Sequence, residues 1–240
     1  MTNAPRFIHL RTHSEYSLLE GALRLKKLPA LCADAKMPAM ALTDTNNMFA
    51  ALEYSIAMSG AGVQPIIGCQ VDMTYVESRP GEKARAPAPV VLLAQTETGY
   101  ENLMKLNSCL YIENRDQLPQ VTVDQLAQYG ADIICLTGGA NGPVGQLLQA
   151  GQIPAAQALM DRLSGIFGDR LYVELQRHPV DGGLPEVERV TERPFVEMAY
   201  AMGLPLVATN DVYFPASKMY EAHDALICIA DGAYVDQQEG

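Results

Sequence analysis

His9-Leu-Arg-Thr-His-Ser-Glu-Tyr-Ser-Leu-Leu-Glu-Gly21 sets an imidazole, a guanidinium and a second imidazole at alternate positions of one short segment. In an extended backbone, residues spaced by two leave on the same side, so His9, Arg11 and His13 share a face. Imidazoles gathered this way are a common means of holding Zn, Mn or Fe. Arg11 breaks that logic. A guanidinium stays protonated and offers no lone pair, so it places a fixed positive charge where a cation would otherwise sit.

Outward from this segment, short β-type runs alternate with longer helical patterns. Strands are expected at Phe7–Leu10, Met40–Thr43, Pro65–Met73, Val90–Ala94, Asp132–Leu136, Leu171–Leu175 and Leu206–Ala208. Helical spacing is expected over Leu25–Lys36, Asn47–Met58, Thr98–Tyr111, Pro154–Ile166 and Val187–Met202. Such alternation implies a mostly parallel sheet with right-handed crossovers, either a closed barrel or an open doubly wound sheet. Ser78–Pro89, rich in Pro, Gly and charge, reads as an exposed loop or a hairpin, and Asn114–Pro119 as a weaker break. Neither is a domain linker, so residues 1–240 are expected to form a single domain.

The chain has 240 residues, 48% of them hydrophobic, and a formal net charge of −11. A surface that grips DNA through phosphates needs clustered Lys and Arg, and no run of this sequence supplies it. Acidity by itself points only to solubility and a basic partner. The five cysteines, Cys32, Cys69, Cys109, Cys135 and Cys228, are scattered and form no C-x-x-C pair. They read as free, mostly buried thiols of a reducing cytoplasm. Met1-Thr-Asn-Ala-Pro-Arg6 lacks a signal-peptide pattern, and no apolar run is long enough for a membrane span.

Functional groups of parallel α/β folds gather beyond the carboxyl ends of the strands. The polar residues at those places are Arg11, His13, Glu20, Asp44, Thr45, Gln70, Gln176, His178, Asn210 and Asp211. Asp44 reads equally as a cap for the helix that follows it or as part of a site. His9 reads as structural, and His223 as a helix residue engaged in packing or a hydrogen bond. Arg11 either bridges a nearby carboxylate, Asp211 or Glu20, or holds an anion.

Seven segments, taken in order, resemble the amino-terminal PHP (polymerase and histidinol phosphatase) domain of bacterial DNA polymerase III alpha subunits. They are His9–Gly21, Ala41-Leu-Thr-Asp-Thr-Asn-Asn-Met-Phe49, Pro65-Ile-Ile-Gly-Cys-Gln-Val71, Gly99-Tyr-Glu-Asn-Leu-Met-Lys-Leu106, Tyr172-Val-Glu-Leu-Gln-Arg-His178, Leu206-Val-Ala-Thr-Asn-Asp-Val-Tyr213 and Glu221-Ala-His-Asp-Ala-Leu-Ile-Cys-Ile229. The resemblance implies a distorted (β/α)7 barrel with mostly parallel strands. It also implies a set of metal ligands for Zn, Mn or Fe in intact members, and Mg-dependent polymerase chemistry in regions beyond this segment.

Carried over residue by residue, this sequence keeps His13, His178 and Asp211 and has Glu20 where aspartate is usual. Arg11, Thr45 and Tyr213 stand in place of histidines, Gln70 in place of a glutamate, and Pro89 in place of another histidine. Metal-assisted hydrolysis needs a firmly held ion. The expectation is therefore no catalytic residues, no metal and no cofactor in this domain, Asp44 lying close to the former site. The function implied is a non-catalytic scaffold for the polymerase core of the same chain that also docks the proofreading exonuclease subunit, without a DNA-binding or membrane surface of its own. The alternative is a residual metal-dependent 3′–5′ exonuclease or phosphoesterase built on His13, Glu20, His178 and Asp211. A stand-alone histidinol-phosphate-type phosphatase is more distant.

Overall fold

The computed structural model describes residues 7–76, 85–114, 118–180 and 182–235. A 3-10 turn over Leu25–Lys27 leads into α1 (Leu28–Asp34), followed by β1 (Ala39–Leu42), α2 (Ala51–Gly60), β2 (Gln64–Met73) and β3 (Ala88–Ala94). Next come α3 (Glu97–Ile112), α4 (Val123–Tyr129), β4 (Ile133–Leu136), α5 (Pro143–Gln149) and α6 (Ile153–Phe167). The described chain closes with β5 (Leu171–Leu175), α7 (Glu186–Met202), β6 (Leu206–Ala208), a 3-10 turn at Ser217–Met219 and α8 (Tyr220–Asp231). Local signals explain several boundaries. Thr96 and Thr122 cap α3 and α4 with their side chains, the latter in a reciprocal capping box with Gln125. Gly203, at φ +66°, ends α7 in the left-handed conformation that glycine adopts without strain.

Six strands form one sheet in the order β1-β2-β3-β4-β5-β6. Pairs β1/β2, β4/β5 and β5/β6 are parallel, whereas β3 runs antiparallel to both β2 and β4. The antiparallel β2/β3 pair departs from the mostly parallel pattern at the segment that reads from sequence as a loop or hairpin. An antiparallel pair needs no helical crossover, so two strands adjacent in sequence can lie side by side.

The expected first strand, Phe7–Leu10, has no ladder of its own, yet its neighbourhood completes the barrel. Ala41 N–H donates to His9 O (2.8 Å) and Thr43 N–H to Thr12 O (2.9 Å) on one side. On the other, His13 N–H donates to Val212 O (2.8 Å) and Val212 N–H to Arg11 O (3.1 Å). Residues 9–13 thus form a seventh stave clasped between β1 and the segment after β6. The architecture is a distorted α/β barrel with one inverted strand.

Alternation along the strands sorts two cores. Cys69, Val71 and Met73 of β2 and Val90 and Leu92 of β3 face outward, into a cluster with Leu103, Leu106 and Leu110 of α3 and residues of α5–α7. Ala41, Val91, Leu93 and Leu136 pack in a smaller interior cluster. Above it, Gln70, Asp72 and Glu174 share the inward parity. Pro89, expected in a loop, is in β3 opposite Asp72. Residues 78–84 of that expected loop, and 115–117 of the Asn114–Pro119 break, lie outside the described residues. Helices α4 and α5 were not anticipated: each has seven residues, too few to show a helical period.

Candidate functional site

Asp44 follows β1 and fastens the loop that carries His13. Its Oδ1 accepts from Ser14 N–H (2.6 Å) and Ser17 Oγ (2.7 Å), and its Oδ2 from Ser14 Oγ (2.8 Å). It therefore caps no helix; α2 begins after Ala50 without a side-chain cap. Gly21 completes the loop, because a Cβ there would stand 1.9 Å from Ser14 O.

Arg11 rises from the clasped stave into the barrel and is 2% exposed. Its Nε is 3.0 Å from Asp211 Oδ1 and 2.9 Å from Gln70 Oε1; its Nη1 is 3.4 Å from Glu174 Oε1 and 3.4 Å from Gly138 O. Glu174 is fully buried and also accepts from Gly138 N–H (2.9 Å) and the Thr209 hydroxyl. Gly138, at φ +83°, serves both partners with its backbone; a Cβ there would meet Pro89 O at 1.9 Å. Burial disfavours the charged guanidinium, but Glu174 and Asp211 more than offset it and raise the Arg11 pKa. Of the two carboxylates considered from sequence, Asp211 meets Arg11. Glu20 instead accepts the Thr45 hydroxyl at 2.6 Å.

His13 is fully buried, stacked on Tyr213 with ring centroids 4.3 Å apart. Its Nε2 is 3.0 Å from Asp211 Oδ1, the same oxygen that Arg11 reaches. Its Nδ1 lies 3.3 Å from both Ser17 Oγ and Thr45 Oγ1. Asp211 takes a left-handed φ of +47°, uncommon for a residue with a Cβ. Burial pushes its carboxyl up, but the adjoining Arg11 and His13 outweigh burial and hold it below the ordinary value.

His178 stands apart, half-exposed beside α7. Its Nδ1 meets Glu188 Oε1 at 2.6 Å, its backbone N–H donates to Glu188 Oε2 (2.9 Å), and its Nε2 donates to Asn210 O at 2.8 Å. Both ring nitrogens face acceptors. Partial burial works against the charged ring, but the Asn210 carbonyl and Glu188 prevail and raise its pKa. A doubly protonated imidazole has no lone pair for a metal.

These partnerships decide the metal question on chemistry. Asp211 and Glu174 are spent on Arg11, Asp44 on two serines, His178 on Glu188 and Asn210, and the guanidinium fills the centre. Among the described residues, no group of three or more His, Cys, Asp or Glu is arranged to hold a metal ion. The residues present do not fit the Zn, Mn or Fe site that the resemblance implied. Gln70 donates weakly to Thr45 Oγ1 at 3.5 Å. His9 Nδ1 is buried without a partner, and burial lowers its pKa. His223 Nε2 donates to Glu20 O at 2.7 Å and so ties α8 to the His13 loop.

Sequence reasoning missed Glu174, Glu188 and Asp72, the last partly buried and bonded to Asn46 at 2.9 Å. Glu174 lies within a strand, not beyond its end. Its signal was an acid in the apolar run Leu171-Tyr-Val-Glu-Leu175, at inward parity with Gln176.

The PHP domain family matches residues 9–178, and the chain belongs to it. Its relatives are DNA polymerase III alpha subunits: that of Caulobacter vibrioides is 48% identical over 236 residues, and that of Rickettsia prowazekii 38% identical over 229. These matches cover 97% and 95% of this chain but 20% and 18% of the relatives, so the chain spans about one fifth of their length. Among solved structures, a Bifidobacterium adolescentis protein described as a metal-dependent phosphoesterase superposes with a TM-score of 0.52 at 12% identity, covering 87% of this chain and 88% of its own. A Chromobacterium violaceum amidohydrolase does so with a TM-score of 0.52 at 14% identity, covering 91% and 96%. At such identities the likeness bears on fold alone.

Proposed function

We propose that this chain is the amino-terminal PHP domain of a replicative DNA polymerase III alpha subunit, and that it acts as a non-catalytic scaffold. It supports the polymerase core of the same cytoplasmic protein and docks the proofreading exonuclease subunit, while DNA synthesis takes place in regions beyond it. The carrying observation is the buried Arg11, bonded to Asp211 and Glu174 at the position a metal cluster would need. A buried guanidinium repels a cation, and its partners leave no open coordination position for water. What intact relatives would spend on hydrolysis, this chain spends on joining the staves at residues 11, 70, 174 and 211.

Metal analysis of the purified chain, paired with a Mn- or Zn-supplemented nuclease assay on a single-stranded oligonucleotide, tests the loss of chemistry. The expected result is no bound metal at stoichiometric level and no cleavage above a metal-free control. Stoichiometric metal that supports 3′–5′ cleavage would establish the residual-exonuclease reading instead. The docking role is tested by gel filtration with the cognate exonuclease subunit; separate migration, even with the full alpha subunit, rejects it.

A further inference from the structure

Beside the mouth, between the stretch that leaves the His13 loop and the turn before α8, lies a half-open pocket of about 320 Å3. Leu23, Leu31 and Met219 supply apolar lining, and Arg24, Lys27 and Lys218 stand around it. No carboxylate lines it. Among the described residues, none of these three cations makes an ion pair or side-chain hydrogen bond, and all three are exposed. This contrasts with Arg11, Arg162, Arg177, Arg189 and Arg193, each paired with an Asp or Glu. Lys26 adds a further exposed cation on the same turn. In a chain of net charge −11, these free cations are concentrated where the surface is also concave and apolar.

We infer that this pocket docks an acidic peptide segment with an apolar anchor: a leucine- or phenylalanine-like side chain in the cavity, flanked by Asp or Glu facing Arg24, Lys27 and Lys218. The volume falls at the lower end of the roughly 300–1,000 Å3 typical of ligand clefts, which suits one or two side chains. Nucleic acid fits less well. Affinity for a polyanion grows with the number of phosphates neutralised, and few cations gather here on an otherwise acidic chain. The apolar lining would also be left against a charged backbone. Opposite charge around an apolar pocket instead directs encounter and register, while the buried anchor holds the complex. The inference does not depend on the absence of chemistry at the mouth.

A random dodecapeptide library selected on the 240-residue chain, with counter-selection on the Lys27→Glu/Lys218→Glu variant, tests it. The expected outcome is enrichment of peptides that place Asp or Glu next to Leu, Ile or Phe. A fluorescein-labelled peptide made from the enriched sequence should bind the variant roughly tenfold or more weakly, lose affinity with salt, and lose it again when its apolar residue is replaced by Ser. No enrichment over the variant, or enrichment of neutral or basic peptides, overturns the inference. So does tighter wild-type binding of a labelled oligothymidylate than of the selected peptide, which would make the pocket a nucleic-acid contact.

Discussion

The barrel mouth and the neighbouring pocket hold cations on opposite terms. Arg11 is buried, and every partner it needs is supplied from within: Asp211, Glu174, Gln70 and the Gly138 carbonyl. Arg24, Lys27 and Lys218 are exposed and have none among the described residues. Charge in the first place serves the fold; in the second it is left over for solution. Residue type alone does not distinguish the two roles. The surrounding carboxylates do.

Breaking the mouth should have the largest effect. Arg11→Ala leaves Glu174 and Asp211 buried without their cation and should cost about 3–5 kcal/mol in urea unfolding at neutral pH. A loss under about 1 kcal/mol would mean that water already screens the network. Asp44→Ala comes next. It orphans Ser14 N–H and two hydroxyls, and should cost about 2 kcal/mol by the same measurement; an unchanged denaturation midpoint would contradict its anchoring role.

The His178–Glu188 pair is smaller and depends on pH. Because the folded-state pKa of His178 is raised, its contribution is complete below the unfolded value of about 6.5 and fades as pH rises through the folded value. The ring is 41% exposed, so solvent screening holds the effect to about 1 kcal/mol or less. Stability of the wild type relative to Glu188→Gln, followed from pH 5 to 9, should decline across that window; a flat difference would show that the ring is not charged in the fold. The smallest change belongs to the pocket. Lys27→Glu/Lys218→Glu should leave stability within about 0.5 kcal/mol, since neither cation has a partner among the described residues. A larger loss would place these lysines with Arg11, as cations the fold uses.

Much of this was open to reading in the residues, for identifiable reasons. Leu171–Leu175 and Leu206–Ala208 are short apolar runs with sharp flanks, and the structure has strands at those bounds. Long helices with clear periods, such as α3 and α7, were anticipated to within one residue at either end. The direction of β3 is not readable in its own residues, because strand patterning is the same in either sense; the only pointer to it is the loop- or hairpin-like Ser78–Pro89 that precedes it. At the mouth, Arg11, His13 and Asp211 were found through their spacing and motif context. Glu174 was not, because this acid sits mid-strand and not beyond a strand end, and only its mismatch with apolar neighbours gives it away. His178 was found, but its two acceptors, Glu188 and the Asn210 carbonyl, come from segments brought to it only by folding.

The clasped stave also sets an order of assembly. Residues 11–13 bond to Val212, and Arg11 reaches Asp211, across about two hundred residues of chain. At synthesis rates of roughly 5–20 residues per second, the stave waits on the order of 10–40 seconds on the ribosome before its far partner exists. Until then Arg11 has its charge but not Asp211. Contacts so distant in sequence carry a high loop-closure cost and belong to the late, slow part of folding. The seam around Arg11 thus joins segments that no local contact can bring together early.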